Sequence, residues 1–243
     1  MRIQTNVLTL FAAAILCMLA VGHAQAGVIY REVFPNNTAN NDALSTDDWQ
    51  INSDAGALAA SQVNSPTTGS PTNQSAVNSN PDSAEISNGY AFNNDANGVD
   101  YLIWTDEYTV DRTAYSITSI SWYQANESTS DVSRAAIQIG SQWYASSQTF
   151  QNTSAYFGGS GGELMSLDFA SANWLLLDFT DGSSLALGSA ASLPGGDITA
   201  FGVYYDSKVA RLRLDTYAIT AIPTPAALPA GLGMLAMIAW RRR

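Results

Sequence analysis

The sequence has few of the side chains that most often carry catalysis and metal binding. It contains one cysteine (Cys17), one histidine (His23) and one lysine (Lys208) in 243 residues. A single cysteine excludes an internal disulfide, and one Cys with one His cannot build the usual zinc sites. Tyr205 stands where a Ser-x-x-Lys dyad would place its serine, so a dyad with Lys208 is also excluded. The fold must therefore rest on its hydrophobic core.

Positive charge is also scarce. All 21 acidic residues but only six of the ten basic ones fall between Gly27 and Ala221, which gives this region a net charge of −15. A surface this anionic repels nucleic acid and anionic lipid headgroups, and no basic cluster in the region offsets the repulsion. Neutral glycans, divalent cations and cationic partners remain compatible with it.

The N-terminus has the three parts of a secretory signal peptide. Arg2 precedes an apolar run from Val7 to Val21, and Ala24-Gln25-Ala26 is a small-residue cleavage pattern. An uncleaved transmembrane helix is the alternative, but the run is shorter than the ~20 apolar residues that a span needs. We expect residues 1–26 to be removed after Ala26. Cys17 and His23 leave with them, which excludes Cys-His and Ser-His-Asp catalysis.

The C-terminus, residues 222–243, reads IPTPAALPAGLGMLAMIAWRRR. The stretch from Ile222 to Trp240 has the minimum length for crossing a bilayer, and the arginines at its end would stay on the cytoplasmic side. The alternative, an amphipathic helix docked on the domain, would need a polar face that Ala230 to Trp240 lacks. The pattern predicts a membrane anchor.

This tail resembles the PEP-CTERM sorting signal of exopolysaccharide-producing Gram-negative bacteria. The resemblance rests on Pro223-Thr224-Pro225, on the apolar run and on Arg241, Arg242 and Arg243, with Thr224 in place of the family's glutamate. It implies recognition by an exosortase and cleavage near Pro223 to Pro225. The protein would be exported through the inner membrane, held there transiently by the anchor, and then delivered to the cell surface or extracellular matrix.

Between the two signals the sequence predicts an all-β domain over residues 27–221. Short runs rich in Ile, Val, Thr and aromatic residues are separated by Gly, Asn, Asp and Ser, which is typical of two packed antiparallel sheets. Ser61 to Ala84, which is rich in Ser, Thr, Asn and Pro, is predicted to be a long exposed loop. The predicted strands are Val28–Phe34, Gly89–Phe92, Tyr101–Trp104, Ile117–Tyr123, Arg134–Ile139, Gln142–Ser146, Leu164–Phe169, Trp174–Thr180, Ile198–Tyr205 and Val209–Thr220.

The last of these strands alternates clearly. Leu212 and Leu214 are predicted to be buried, while Arg211, Arg213 and Asp215 face water. The segment RLRLDTYAIT resembles the closing strand of concanavalin-like (laminin G or lectin) jelly rolls. That resemblance implies a jelly-roll sandwich in which the last strand lies near the first.

A hairpin is predicted at Gly140-Ser141, a pair that fits a two-residue type II′ turn. Gln138 would then oppose Trp143 on the outer face, while Tyr144 joins the core. An exposed indole beside an amide is a common carbohydrate-binding arrangement, so Trp143 and Gln138 are the candidate glycan-binding residues. The alternative is one continuous strand that takes Trp143 into the core. Trp104, Trp122 and Trp174, which sit among Ile and Leu, are assigned to the core.

Asn93, Asp95, Asn97 and Gly98 follow the first half of a calcium-loop pattern, and Asp100 adds another oxygen. Trp104 occupies the place of the bidentate glutamate, which excludes an EF-hand. The alternative interpretation is an Asx-rich turn between two strands. Calcium is the one cofactor that the sequence indicates, and Asn93, Asp95, Asn97 and Asp100 are its candidate ligands.

A glycosidase would need two carboxylates about 5 to 9.5 Å apart. Glu107 and Asp111 would lie roughly 13 Å apart on an extended strand, and Asp106 would face the other way from Glu107. We therefore expect a non-catalytic protein with a structural or glycan-binding role in the exopolysaccharide or biofilm matrix. The alternatives are a secreted carbohydrate-active enzyme on a lectin-like fold and a calcium-dependent adhesin.

Overall fold

The computed structural model describes residues 25–34, 42–44, 48–53, 72–75, 89–93, 100–126, 128–153, 162–180, 184–206 and 212–224. These residues form fourteen strands, and every strand pairing is antiparallel. Among them there is no helix long and apolar enough to cross a membrane. The predicted signal peptide up to Ala24 and the tail from Pro225 lie outside the described residues.

The strands divide equally between two sheets. The first sheet has the order Glu163–Asp168 (β10), Tyr115–Gln124 (β7), Leu212–Pro223 (β14), Gly89–Asn93 (β5), Thr72–Ser75 (β4) and Asp42–Ala43 (β2), and Gly27–Glu32 (β1) also pairs with β14. The second sheet has the order Ser184–Ala191 (β12), Trp174–Thr180 (β11), Gln142–Ser146 (β9), Val132–Ile139 (β8), Ile198–Asp206 (β13), Tyr101–Thr105 (β6) and Trp49–Ser53 (β3). The predicted two-sheet all-β architecture is confirmed.

The core lies between the sheets. Tyr217 of β14 stacks on Phe201 of β13 with ring centroids 5.6 Å apart, and it meets Trp49 of β3 edge to face at 5.4 Å. All three side chains are fully buried. Burial of such rings contributes most of the stabilisation in a fold without disulfides, because each removes a large apolar area from water.

Strand β14 organises the first sheet. One of its edges pairs with β7, and its other edge pairs with β5 at Leu212 to Leu214 and with β1 further on. The last strand therefore lies beside the first, as the jelly-roll resemblance implies. Between Asp215 and Ala218 an extra residue bulges out, and Thr216 has a φ of 44° there. Leu214 is buried as predicted, but Asp215, at the start of this bulge, is half-buried and does not simply face water.

Four strands of the structure were not predicted from the sequence. β4 lies within the predicted Ser61 to Ala84 loop, so that prediction is wrong at Thr72–Ser75. β2, β3 and β12 were not predicted either. Three of the four, β2, β3 and β12, are the end strands in the two sheet orders. An edge strand has only one pairing neighbour, so its sequence can do with less of the apolar alternation that identifies inner strands, as in β12. β3 does alternate, with Trp49, Ile51 and Ser53 buried, but only two of its five residues are apolar.

Candidate functional site

The outer surface of the second sheet carries a second apolar cluster, separate from the core between the sheets. Small residues occupy its central strands: Ala136 on β8, Ala145 on β9, and Ala200 and Gly202 on β13. A Cβ added at Gly202 would overlap the carbonyl oxygen of Ile103 on β6. Glycine is thus required where β13 passes β6, and the small residues leave room for larger rings above them.

Three aromatic rings fill that room. Trp104 of β6, Trp143 of β9 and Phe179 of β11 contact one another edge to face. The ring centroids are 5.5 Å apart for Trp104 and Trp143, 5.8 Å for Trp143 and Phe179, and 6.1 Å for Trp104 and Phe179. These distances and orientations are those that aromatic pairs prefer. We call these three residues, together with Tyr204 of β13, the aromatic face.

Trp104 is the tryptophan of the aromatic face that solvent reaches. It is half-buried, whereas Trp143 is only 3% exposed. The Trp104 indole nitrogen donates a hydrogen bond of 2.7 Å to the side-chain oxygen of Asn52 on β3. Gln50, an exposed residue of the same strand, lies directly opposite Trp104 in the β3–β6 register. The Trp104 indole is therefore partly exposed to solvent, is held in one orientation by its hydrogen bond, and is flanked by two amide side chains.

Tyr204 adds a polar group beside these rings. Its hydroxyl donates to the carboxylate of Asp100. Burial raises the pKa of Tyr204 above its ordinary value, and the bond to Asp100 and the negative charges of Asp100 and Asp206 raise it further, against a smaller lowering by Arg134. The hydroxyl thus stays protonated at any physiological pH, and this end of the face has an acidic character.

The predicted hairpin is confirmed. Gln138 opposes Trp143 and Ile137 opposes Tyr144, so Trp143 and Gln138 share the outer face while Tyr144 joins the core. Gly140 has a φ of 63°, whereas the φ of Ser141 is not positive. A type II′ turn requires this combination of backbone angles. The predicted exposure of Trp143 is wrong, because Trp104 and Phe179 pack against its ring. Gln138 is half-buried and accepts a bond of 3.2 Å from the Thr199 hydroxyl.

The sequence assigned Trp104, Trp122 and Trp174 to the core, and the structure confirms two of these three assignments. Trp122 and Trp174 are buried in the core between the sheets. Trp104 is on the outer face instead, which sequence reasoning missed. β6 reads YLIWT and is apolar on both faces, so it has no alternation that could separate the inner Tyr101 and Ile103 from the outer Leu102 and Trp104.

Most of the calcium-loop candidate is not described. Asp95 and Asn97 lie outside the described residues, and Asn93 ends β5. Asp100 is described, and its carboxylate accepts a hydrogen bond from the Tyr204 hydroxyl. No group of three or more His, Cys, Asp or Glu side chains that could hold a metal occurs in the described part of the chain.

The carboxylates considered for hydrolysis have structural partners. Glu107 accepts a hydrogen bond from the Tyr30 hydroxyl. Asp111 accepts from the backbone N–H groups of Thr113 and Ala114 at 2.7 and 3.1 Å, and from the Thr113 hydroxyl at 2.6 Å. These bonds hold the pKa of Asp111 below its usual value. Asp111 therefore stabilises the turn before β7.

Part of the predicted sorting motif belongs to the folded domain. Pro223 is the last residue of β14, opposite Tyr115, and the Thr224 N–H donates to the Ala114 carbonyl oxygen at 2.8 Å. Ala26, the predicted last residue of the signal peptide, directly precedes β1. The remaining residues of the predicted signals, Ala24, Pro225 and Arg241 to Arg243, lie outside the described residues.

No protein-family model matches this chain, and no curated protein matches it. Among solved structures, the chain is similar to the family 11 carbohydrate-binding module of the cellulosomal cellulase Lic26A-Cel5E of Clostridium thermocellum. The TM-score is 0.45 at 9% sequence identity, and the similarity covers 84% of this chain and 97% of that module. A similarity this weak identifies no family, and no binding residue is transferred from it.

Proposed function

We propose that this protein is a non-catalytic glycan-binding protein that binds carbohydrate on the aromatic face. The observation that carries the proposal is the half-buried Trp104 indole, fixed by its 2.7 Å bond to Asn52 and supported by Trp143 and Phe179. A sugar ring presents an apolar face to an indole and hydroxyl groups to its surroundings. Because the Trp104 ring is already held in place, little conformational entropy would be lost on binding.

The surroundings of Trp104 suit a neutral or a cationic glycan. The exposed Gln50 amide supplies a donor and an acceptor for sugar hydroxyls. Asp100 and Asp206 give the Tyr204 end of the face a negative charge, and the whole domain is acidic. A polysaccharide rich in carboxylate or sulfate would be repelled. We therefore propose neutral exopolysaccharide as the ligand.

The same proposal includes the route of export. The signal peptide pattern at residues 1–26 and the PEP-CTERM-like tail at residues 222–243 support delivery by an exosortase to the surface or matrix of a Gram-negative bacterium. In that setting a glycan-binding domain would attach to the secreted polysaccharide. Intact-mass analysis of the protein from hosts with and without an exosortase tests this part: we expect loss of the tail only where the enzyme is present.

Binding is tested by native electrophoresis of the full-length protein through gels that contain neutral polysaccharides. We expect retardation of the unmodified protein by at least one of them. Trp104→Ala should weaken the affinity that the retardation reports by about 5- to 150-fold, because loss of one stacked ring costs about 1–3 kcal/mol. Gln50→Ala should weaken it less, because Gln50 is exposed and contributes one amide.

Leu164→Ala is the matched control, since Leu164 is 55% exposed and lies on β10 of the other sheet. It should migrate like the unmodified protein. Retardation that survives Trp104→Ala unchanged would remove the aromatic face as the binding site. Release of sugar from any retarding polysaccharide would show an enzyme and contradict the non-catalytic role.

A further inference from the structure

The turn of residues 111–114, which precedes β7, binds the residue that follows β14. The Ala114 carbonyl oxygen accepts a hydrogen bond of 2.8 Å from the Thr224 N–H, and the Thr113 carbonyl oxygen accepts one from the Thr224 hydroxyl. Both polar groups of Thr224 that can donate are therefore bound to the same turn. We call residues 111–114 the tail-holding turn, because Thr224 is the middle residue of the predicted Pro-Thr-Pro sorting motif.

The side chain of Asp111 fixes the shape of the tail-holding turn. Its carboxylate accepts from the Thr113 N–H at 2.7 Å, from the Thr113 hydroxyl at 2.6 Å and from the Ala114 N–H at 3.1 Å. The Tyr115 N–H donates to the Asp111 carbonyl oxygen at 2.9 Å. An aspartate that binds the N–H groups two and three residues ahead holds a turn in one conformation. Asp111 thus positions the two carbonyl oxygens that bind Thr224.

The tail-holding turn is also joined to the second sheet. Val110, directly before it, exchanges two backbone hydrogen bonds of 2.9 and 3.1 Å with Ile198, and both residues are fully buried. The Arg112 guanidinium donates to the carbonyl oxygens of Pro194 and Gly196 at 2.8 and 3.2 Å. The turn cannot leave the domain without breaking these contacts, so Thr224 is released only when its own bonds to the turn break.

The strand end before Thr224 is paired as well. Ala221 pairs with Ile117 of β7 on one edge and with Gly27 of β1 on the other, and Pro223 pairs with Tyr115. Enzymes that cut peptide bonds bind an extended stretch of substrate through its backbone groups, much as an added strand pairs with a sheet edge. A peptide bond in this segment is therefore cut only in molecules whose strand end has opened, and the rate falls with the open fraction.

We propose that the tail-holding turn restricts processing of the C-terminal tail to peptide bonds after Thr224, so that the processed domain keeps Pro223 and Thr224. Asp111 is the positioning residue of this restriction, because it acts through the carbonyl oxygens of Thr113 and Ala114. The inference rests on the proposed export route, since it concerns the tail that this route would remove. Its first test uses no exosortase, so the two proposals fail separately.

Brief digestion of the full-length protein with proteinase K, a broad-specificity protease, tests the restriction. The mass of each released tail fragment identifies its first residue. We expect fragments that begin after Thr224 to appear at least about tenfold faster than fragments that begin at Ile222. In urea, which unfolds the domain and leaves the protease active, this difference should disappear, because the Ala221–Ile222 bond is then as accessible as the bonds after Thr224.

Substitutions in the turn and in the tail weaken the restriction by different amounts. Asp111→Ala should raise the rate of cleavage at the Ala221–Ile222 bond about tenfold, whereas Asp111→Asn, which keeps an acceptor oxygen, should retain most of the protection. Thr224→Val removes only the hydroxyl bond to Thr113 and should raise the rate about two- to tenfold. Thr224→Val leaves the turn intact, so it tests the contact even where Asp111→Ala lowers the stability of the whole domain.

Asp168→Ala is the matched control. Asp168 is an exposed aspartate that accepts the Ala170 N–H at 3.1 Å in the turn after β10. Its substitution should leave the cleavage pattern unchanged. Equal rates of cleavage before and after Thr224 in the folded unmodified protein would overturn the proposal. Rates at the Ala221–Ile222 bond that neither Asp111→Ala nor Thr224→Val changes would overturn it too.

Expression in a host that has an exosortase gives the second test. Intact-mass analysis of the processed protein should show a C-terminus at Thr224 or later, and a C-terminus at Pro223 or earlier would overturn the restriction. A tail that is retained in every host contradicts the export route instead. In that case the protease experiment alone decides whether the turn protects the strand end.

Discussion

Asp215 carries a carboxyl group into the first sheet at the point where β14 is irregular. The Thr216 hydroxyl donates to it at 3.1 Å, and Thr216 has the left-handed backbone of the bulge. Burial nevertheless raises the pKa of Asp215 to about 7, against the lowering effects of Thr216 and Arg31. The folded protein therefore holds a proton on this residue at pH values where the unfolded chain has released it.

The sign of the effect on stability follows from proton binding. Between the ordinary pKa of 3.8 and the raised value of about 7, the folded state binds more protons than the unfolded state, so stability falls as pH rises through this range. Asp215→Asn should remove this loss. We expect its free energy of unfolding to match the unmodified protein below about pH 4 and to exceed it by about 3 to 4 kcal/mol above pH 7.

Urea unfolding at several pH values measures the difference directly. Asp178→Asn serves as the control, because Asp178 is an exposed residue of β11. The idea fails if both substitutions shift stability equally at every pH. Asn suits this experiment because its side-chain oxygen can still accept the hydrogen bond from Thr216.

At the scale of elements, the β8–β9 hairpin decides which side chains reach the aromatic face. Gly140 holds a φ of 63° in the two-residue turn. A Cβ there meets no atom within 4 Å, so the cost of Gly140→Ala comes from the backbone alone. We expect this substitution to lower the free energy of unfolding by about 1–2 kcal/mol.

Gly195→Ala is the matched control for the hairpin. Gly195 also has open space around its Cβ position, but its φ is not in the left-handed region. Its substitution should leave stability unchanged within about 0.5 kcal/mol. Equal effects at Gly140 and Gly195, measured by chemical unfolding, would show that the turn does not require glycine.

Sequence reasoning succeeded for elements with strong local signals. The hairpin register follows from Gly140-Ser141, and the inner strands follow from runs such as Ile198–Tyr205, which the structure shows as Ile198–Asp206. It failed where the signal depends on distant neighbours. β12 has no β-branched or aromatic residue, and only its pairing with β11 makes it a strand.

Only part of the candidate site could be predicted, because the rest of it depends on residues that are distant in sequence. The turn chemistry placed Trp143 and Gln138 on the outer face correctly. Whether Trp143 is exposed there depends on Trp104 and Phe179, which come from β6 and β11 and are remote in sequence. No local pattern contains that information, so the sequence alone could not identify Trp104 as the accessible ring. That identification needs the order of the strands in the sheet.

At the scale of the whole molecule, residues 112–114 form hydrogen bonds both to the loop before β13 and to the end of β14. Arg112 binds the carbonyl oxygens of Pro194 and Gly196, next to the second sheet, at 2.8 and 3.2 Å. In the turn that follows Arg112, the Ala114 carbonyl oxygen accepts a hydrogen bond from the Thr224 N–H. The Thr113 carbonyl oxygen accepts one from the Thr224 hydroxyl. Strand β14 and the bonds of Thr224 thus extend past Ala221 into the predicted sorting motif, which begins at Ile222.

A pair of truncated chains tests this boundary. A chain of residues 27–221 lacks half-buried Ile222, the Pro223 position of the β7–β14 ladder and both bonds of Thr224, all of which a chain of residues 27–224 keeps. These contacts together contribute about 2 to 3 kcal/mol. We expect the shorter chain to melt about 4–10 °C lower, a difference that calorimetry measures easily.

Equal melting temperatures would mean that the strand end contributes nothing. A clear difference would mean that processing before Thr224 weakens the domain, whereas processing after it leaves the sandwich intact.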